Sequence, residues 1–99
     1  MKIIEDILAD AQTLRDELAL QIKLGTAEAK DEFEKLEPHL NKLKQKTSEI
    51  AEAAGDTAKE LAIAAELGIK ADSADDVKTA LKLAAEELKE GFEKIRKTL

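Results

Sequence analysis

The sequence predicts an all-α fold, an up-and-down bundle of three long helices and one short helix with coiled-coil-like antiparallel packing. Three observations carry the prediction. Apolar residues recur in steps of three and four through most of the chain, which sets one side chain per turn on a single face. No stretch shows the strict apolar–polar alternation of a half-buried strand. The interruptions fall at Gly25, Gly55 and Gly68, each with a residue able to cap a helix shortly after it. The most regular stripe is Phe33, Leu36, Leu40, Leu43, Thr47, Ile50 and Ala54, the a/d spacing of a helix that packs lengthwise against another.

The first helix is expected from Lys2 to Leu24. Ile4, Ile7, Ala11, Leu14 and Leu18 repeat in three-four steps, and Ile22 continues the face. Ile3, Leu8 and Leu20 flank the stripe and widen it, which suggests contact with more than one neighbour. Gly25 stands at a helix C′ position, and Thr26 suits the N-cap of a second helix.

The second helix is expected from Ala27 to Ala54. Its acids come early (Glu28, Asp31, Glu32, Glu34) and its lysines late (Lys42, Lys44, Lys46), an order that complements the helix macrodipole. Asp31 and Lys35 are spaced to pair on the exposed face. Pro38 conflicts with a helix interior, where it removes a hydrogen bond and crowds the carbonyl of Glu34. The stripe keeps its phase from Leu36 to Leu40, so a kink with Pro38 on the solvent side is expected rather than a loop.

Thr57 and Glu60 have capping-box spacing and open a short third helix, Ala58 to Leu67, with Leu61, Ile63, Ala64, Ala65 and Leu67 as its apolar positions. Gly68 stops it, and Ile69 to Asp72 reads as a loop. Ser73 opens the fourth helix, with Asp76 again at capping-box spacing. Its stripe is Val77, Leu81, Ala84, Leu88, Phe92, Ile95 and Leu99, closer to the natural helical period than to a heptad. Glu90–Lys94 and Glu93–Lys97 are spaced to pair, and Gly91 beside the core face allows a close contact.

Folding the chain back at Gly25-Thr26 sets Ile4 opposite Thr47, Ile7 opposite Leu43, Ala11 opposite Leu40, Leu14 opposite Leu36 and Leu18 opposite Phe33. The same register brings Glu5, Asp6 and Asp10 towards Lys42, Lys44 and Lys46. A rival arrangement uses the same pairs. If Gly25 stays helical, residues 2 to 54 form one rod of about 80 Å at the α-helical rise, and two rods pair antiparallel. The stop-start signal at Gly25-Thr26 favours the hairpin. The packing seam is then Ile7, Leu14 and Leu18 against Phe33, Leu36, Leu40 and Leu43, closed by Leu88, Phe92 and Ile95.

Ninety-nine residues make a single domain. The apolar fraction is 43%, but 17 of those residues are alanine and Phe33 and Phe92 are the only aromatics, so the core is thin. Close helix approach or self-association compensates for a thin core. The formal charge of −6 disfavours nucleic acid and anionic membrane surfaces. The lack of cysteine excludes thiolate chemistry and disulfides and fits a cytoplasmic protein. Glu5 and Asp6 interrupt the first apolar residues too early for a signal-peptide core.

Candidate chemistries are few. His39 is the single histidine, with no nucleophile or paired carboxylate at a recognisable spacing. A bundle di-iron site needs Glu-x-x-His pairs, but position 36 is Leu. Asp72, Asp75 and Asp76 lack the spacing of a calcium loop, and Ser73 and Asp76 as capping residues explain the cluster better. Lys35, Lys42, Lys44 and Lys46 form a basic patch without interleaved aromatics. No glycine cluster cradles a phosphate. No catalytic residue, metal or cofactor is therefore expected, and no small-molecule substrate is identified.

The stretch Leu24-Gly25-Thr26-Ala27-Glu28-Ala29-Lys30-Asp31-Glu32-Phe33-Glu34-Lys35-Leu36-Glu37 and the tail Glu90-Gly91-Phe92-Glu93-Lys94-Ile95-Arg96-Lys97 resemble a group of small uncharacterised bacterial helical proteins. Pro38 departs from that group's pattern. The resemblance implies a soluble helical protein and carries no activity. The function expected is a non-enzymatic helical scaffold or protein–protein interaction module, whose partner is a second copy or another helical protein. An amphipathic lipid-surface protein is the alternative, and a small enzyme or metal-binding bundle ranks below it.

Overall fold

Backbone geometry at Gly25 sets the topology. The computed structural model describes residues 1–99. Helix α1 spans Lys2–Gln21 and tightens into a 3₁₀ turn at Ile22–Leu24, after which Gly25 is extended (φ −82°, ψ 174°) and the chain reverses. Thr26 then caps α2, Ala27–Glu52, by accepting a hydrogen bond from the Ala29 amide at 3.1 Å. The hairpin is thus the arrangement present. A longest dimension of 46 Å leaves no room for the continuous rod.

α2 runs unbroken through Pro38, which is exposed as its place off the stripe requires. The helix ends at Glu52 rather than Ala54. Ala53 is its buried C-cap, and the turn from Ala53 to Asp56 closes with a 2.9 Å backbone bond. Gly55 sits in that turn at φ +93°, a conformation that costs a residue with a Cβ. Ala54, expected on the stripe, is therefore exposed.

Helix α3 spans Thr57–Glu66. Its cap is Asp56, which accepts from the Lys59 amide at 3.1 Å, not Thr57 as the spacing suggested. With the cap one residue earlier, Glu60 lies a position too far along to complete a capping box, and it turns towards the bundle, where it is 5% exposed. A Schellman motif ends α3: Ile69 N–H donates to Ala64 O at 3.1 Å and Gly68 N–H to Ala65 O at 2.9 Å, with Gly68 at φ +77°. Helix α4, Ala74–Thr98, begins at Ser73, whose hydroxyl accepts from the Asp76 amide at 3.1 Å.

The molecule is an all-α helical bundle. α1 and α2 are antiparallel, joined by Arg15–Glu37 and Gln12–Lys44. α2 and α4 are also antiparallel. Phe33 meets Phe92 edge to face at a centroid distance of 6.1 Å, and Leu36 lies over Gly91. α1 and α4 run parallel: Ile3 shares a depression with Lys82, and Glu17 shares one with Arg96. This parallel pair is the most extensive packing in the molecule, and α1–α2 contact is much smaller. The seam expected between α1 and α2 is therefore a three-way core with α4 set between them. Leu8 joins that core, whereas Ile3 and Leu20 are 64% and 84% exposed and do not widen it. On α4 the core takes Ala85 in full and Ala84 in part, and Leu99 is 43% exposed.

α3 runs back along the second half of α2, where Lys46 reaches Glu66. Its end brings Leu67 and Ile69 beside Leu43, Leu88 and Ala84, the last ten residues into α4. The loop from 70 to 73 must then return about 15 Å to where α4 starts. No helix is long and apolar enough to cross a membrane.

Candidate interaction surface

Of the expected seam residues, Leu14, Leu18, Phe33, Leu40, Leu43, Leu88, Phe92 and Ile95 are buried in one cluster. Ile7 and Leu36 pack against it half-buried. These ten residues hold the bundle together, so what remains for function lies on the faces they do not close.

One such face is the groove between α1 and α2. α4 occupies the inner side of this pair, and no element covers the outer side near its Glu5–Glu52 end. The result is an open groove of about 640 Å³. Its walls are Glu5, Ala9 and Gln12 from α1 and Lys44, Ser48 and Glu52 from α2. Leu8, Thr47 and Ala51 form the floor. Thr47 is 2% exposed, and its hydroxyl has no hydrogen-bond partner. A buried hydroxyl without a partner costs stability.

Polar side chains hold the groove in shape. Lys44 Nζ donates to Gln12 Oε1 across it at 2.9 Å. Further along, Arg15 donates from Nε and Nη2 to Glu37 Oε2 at 3.0 and 2.6 Å while its guanidinium lies 5.8 Å from the Phe33 ring centroid. The Glu37 bond, followed by that to Asp16, raises the Arg15 pKa above its usual value. Asp16 is lowered by its bond from Gln12 and then by Arg15.

The lysines do not meet the acids that the hairpin register suggested. Asp10 pairs with Lys89 of α4 at 3.5 Å, and Lys46 pairs with Glu49 at 3.1 Å and with Glu66 of α3. The Glu66 bond, with Glu49 second, raises the Lys46 pKa. Lys35 lies 3.8 Å from Glu32 rather than pairing with Asp31. On α4 the ion pair formed is Lys82–Glu86, at 4.0 Å, and neither Glu90–Lys94 nor Glu93–Lys97 closes. For Asp10 and Lys46, a helix outside the two-helix register supplies the partner.

His39 is exposed and borders a cavity of about 360 Å³ between α2, the end of α3 and α4. The floor is Leu36, Leu43 and Leu88, and Glu87 stands on the facing wall. No hydrogen bond joins His39 to Glu87 across this cavity. Asp72, Asp75 and Asp76 are exposed around the α4 cap, and no group of three or more His, Asp and Glu side chains is placed to hold a metal ion. The exposed large aliphatics are Ile3, Leu20, Leu24, Leu83 and Leu99, and of these Leu99 reaches Gly25 beside Leu24.

Comparison with protein-family models, curated proteins and solved structures finds no match to this chain. The residues and their geometry alone carry the functional reading.

The groove is not evident from the sequence, although one signal for it is present. Lys44, Ser48 and Glu52 form an i, i+4, i+8 row beside the apolar stripe, with a small residue at its centre. The row marks a face without a bulky apolar side chain, but only the placement of α4 shows that this face is left uncovered.

Proposed function

We propose that this chain acts by binding, as a helical interaction module that associates with a second copy of itself. The observation that supports this reading is the open α1/α2 groove, with Ala9, Ser48 and Ala51 at its centre. Helices approach closely over small residues, so a further helix pair laid in this groove gains contact along several turns. The core is dominated by close-packed alanine and aliphatic residues, and Ala11, Ala64 and Ala85 are fully buried. Extra buried surface stabilises a bundle of this size.

The reading is tested by size exclusion with in-line light scattering across a wide concentration range. The expected result is a mass moving from one chain to two as concentration rises. A single-chain mass at every concentration would remove the proposal.

A further inference from the structure

The groove carries a charge order that specifies its occupant. Along α2, Lys44, Ser48 and Glu52 stand on successive turns, all bordering the groove. Along α1, Gln12, Ala9 and Glu5 stand on the opposite wall, with the Gln12 amide nitrogen donating to Asp16. In each row the small residue lies about 4.5–6 Å along the helix from its neighbours on the adjacent turns. Lys44 and Gln12 lie at the same level, since the Lys44 ammonium donates to the Gln12 carbonyl oxygen. The groove therefore has a lysine end, a small centre and an acidic end.

A surface with this order is complementary to its own inverted copy. Resting on the self-association reading above, we infer that the groove closes on the same groove of a second copy. The two-fold axis crosses the helices at Ala9 and Ser48, and the two bundles lie antiparallel. α2 then lies over α2 of the second copy, so Lys44 of each chain faces Glu52 of the other, and Gln12 of each faces Glu5. A two-fold axis along the helices would instead gather Glu5 and Glu52 of both chains at one end and both Lys44 side chains at the other. Those like-charge contacts rule out the parallel arrangement. Each chain carries a formal charge of −6, so two copies repel at long range, and an exposed lysine at the contact is what the interface needs. Ala9, Ser48 and Ala51 at the centre let the backbones approach.

Charge reversal and crosslinking test the arrangement on the full chain. Sedimentation equilibrium is expected to show that Lys44→Glu and Glu52→Lys each weaken the dimer roughly tenfold or more, because each reversal turns two symmetry-related attractions into repulsions. The double variant is expected to recover most of the loss. Both positions are exposed, and thermal melts of each variant check that the monomer fold is intact. The chain has no cysteine, so Ser48→Cys gives a unique thiol at the axis, expected to form a disulfide-linked dimer on mild oxidation. Adding Lys44→Glu is expected to suppress that crosslink.

A dimer indifferent to both reversals overturns the groove arrangement and leaves self-association standing through another face. Single reversals that weaken the dimer without recovery in the double variant overturn the antiparallel pairing. A chain that stays monomeric throughout overturns both this inference and the reading beneath it.

Discussion

Replacing Gly91 with alanine sets two opposed effects against each other. Gly91 lies inside α4, where alanine is favoured over glycine by about 1 kcal/mol. An alanine Cβ there would lie 3.0 Å from Leu36 Cδ1 and 3.3 Å from Cδ2, closer than ordinary contact. In a sealed core such crowding costs about 1–3 kcal/mol and would outweigh the helix gain. Leu36 is not sealed in. It is half-buried and borders the 360 Å³ cavity below His39, into which its terminal methyls can move by a few tenths of an ångström. The helix term therefore wins, and Gly91→Ala is expected to stabilise the protein by about 0.5–1 kcal/mol, raising Tm by about 2–8 °C. Thermal unfolding followed by far-ultraviolet circular dichroism measures it. A double-mutant cycle with Leu36→Ala isolates the contact, and the alanine gain should be larger in that background. A fall in Tm for Gly91→Ala that Leu36→Ala removes would refute the reasoning that the cavity relieves the contact.

Three further outcomes are expected. Phe92→Ala should cost about 3–5 kcal/mol in urea denaturation, since Phe92 is fully buried and packs edge-on against Phe33; a loss under about 1 kcal/mol would mean the core is not centred there. Leu40→Asp should collapse the melting transition by burying a charge at a site 1% exposed, while His39→Ala one residue away should leave it nearly unchanged; equal large losses would contradict the outward placement of His39. The raised Lys46 pKa makes its bonds to Glu66 and Glu49 stabilising at pH values below the ordinary lysine value of 10.5, with the benefit lost as pH climbs through the folded-state value. The stability difference between wild type and Lys46→Met, read by urea titration, should therefore be present at neutral pH and vanish in strong alkali, and a difference constant with pH would show the ion pairs to be idle.

Helix existence was legible in the sequence because periodicity and capping agree at nearly every element. Ser73, Thr26 and Gly68 act as their residue types suggest. The start of α3 was displaced by one residue because Asp56 and Thr57 are both competent caps, and that single step turns Glu60 inward. The pairing of helices was less legible. A stripe on α1 identifies the buried face but not which helix meets it, and the α2 stripe matched it in register even though α4 is the larger neighbour. Ion pairs failed for the same reason: Lys46 and Asp10 found partners on α3 and α4, which a two-helix register cannot place. The groove depends on where no helix lies, and no local pattern records that.

The parallel α1–α4 contact makes assembly a late event in the life of the chain. Asp10 waits for Lys89, so the largest interface joins segments 79 residues apart in the order of synthesis. At about 5–20 residues per second a ribosome takes several seconds to deliver the second after the first. Until then the emerging α1–α2 hairpin has only its smaller contact, with its aliphatic stripes turned to solvent. Such a chain folds more slowly than a bundle of neighbouring hairpins of equal length, and it leaves a nascent amphipathic surface open to chaperones during that interval.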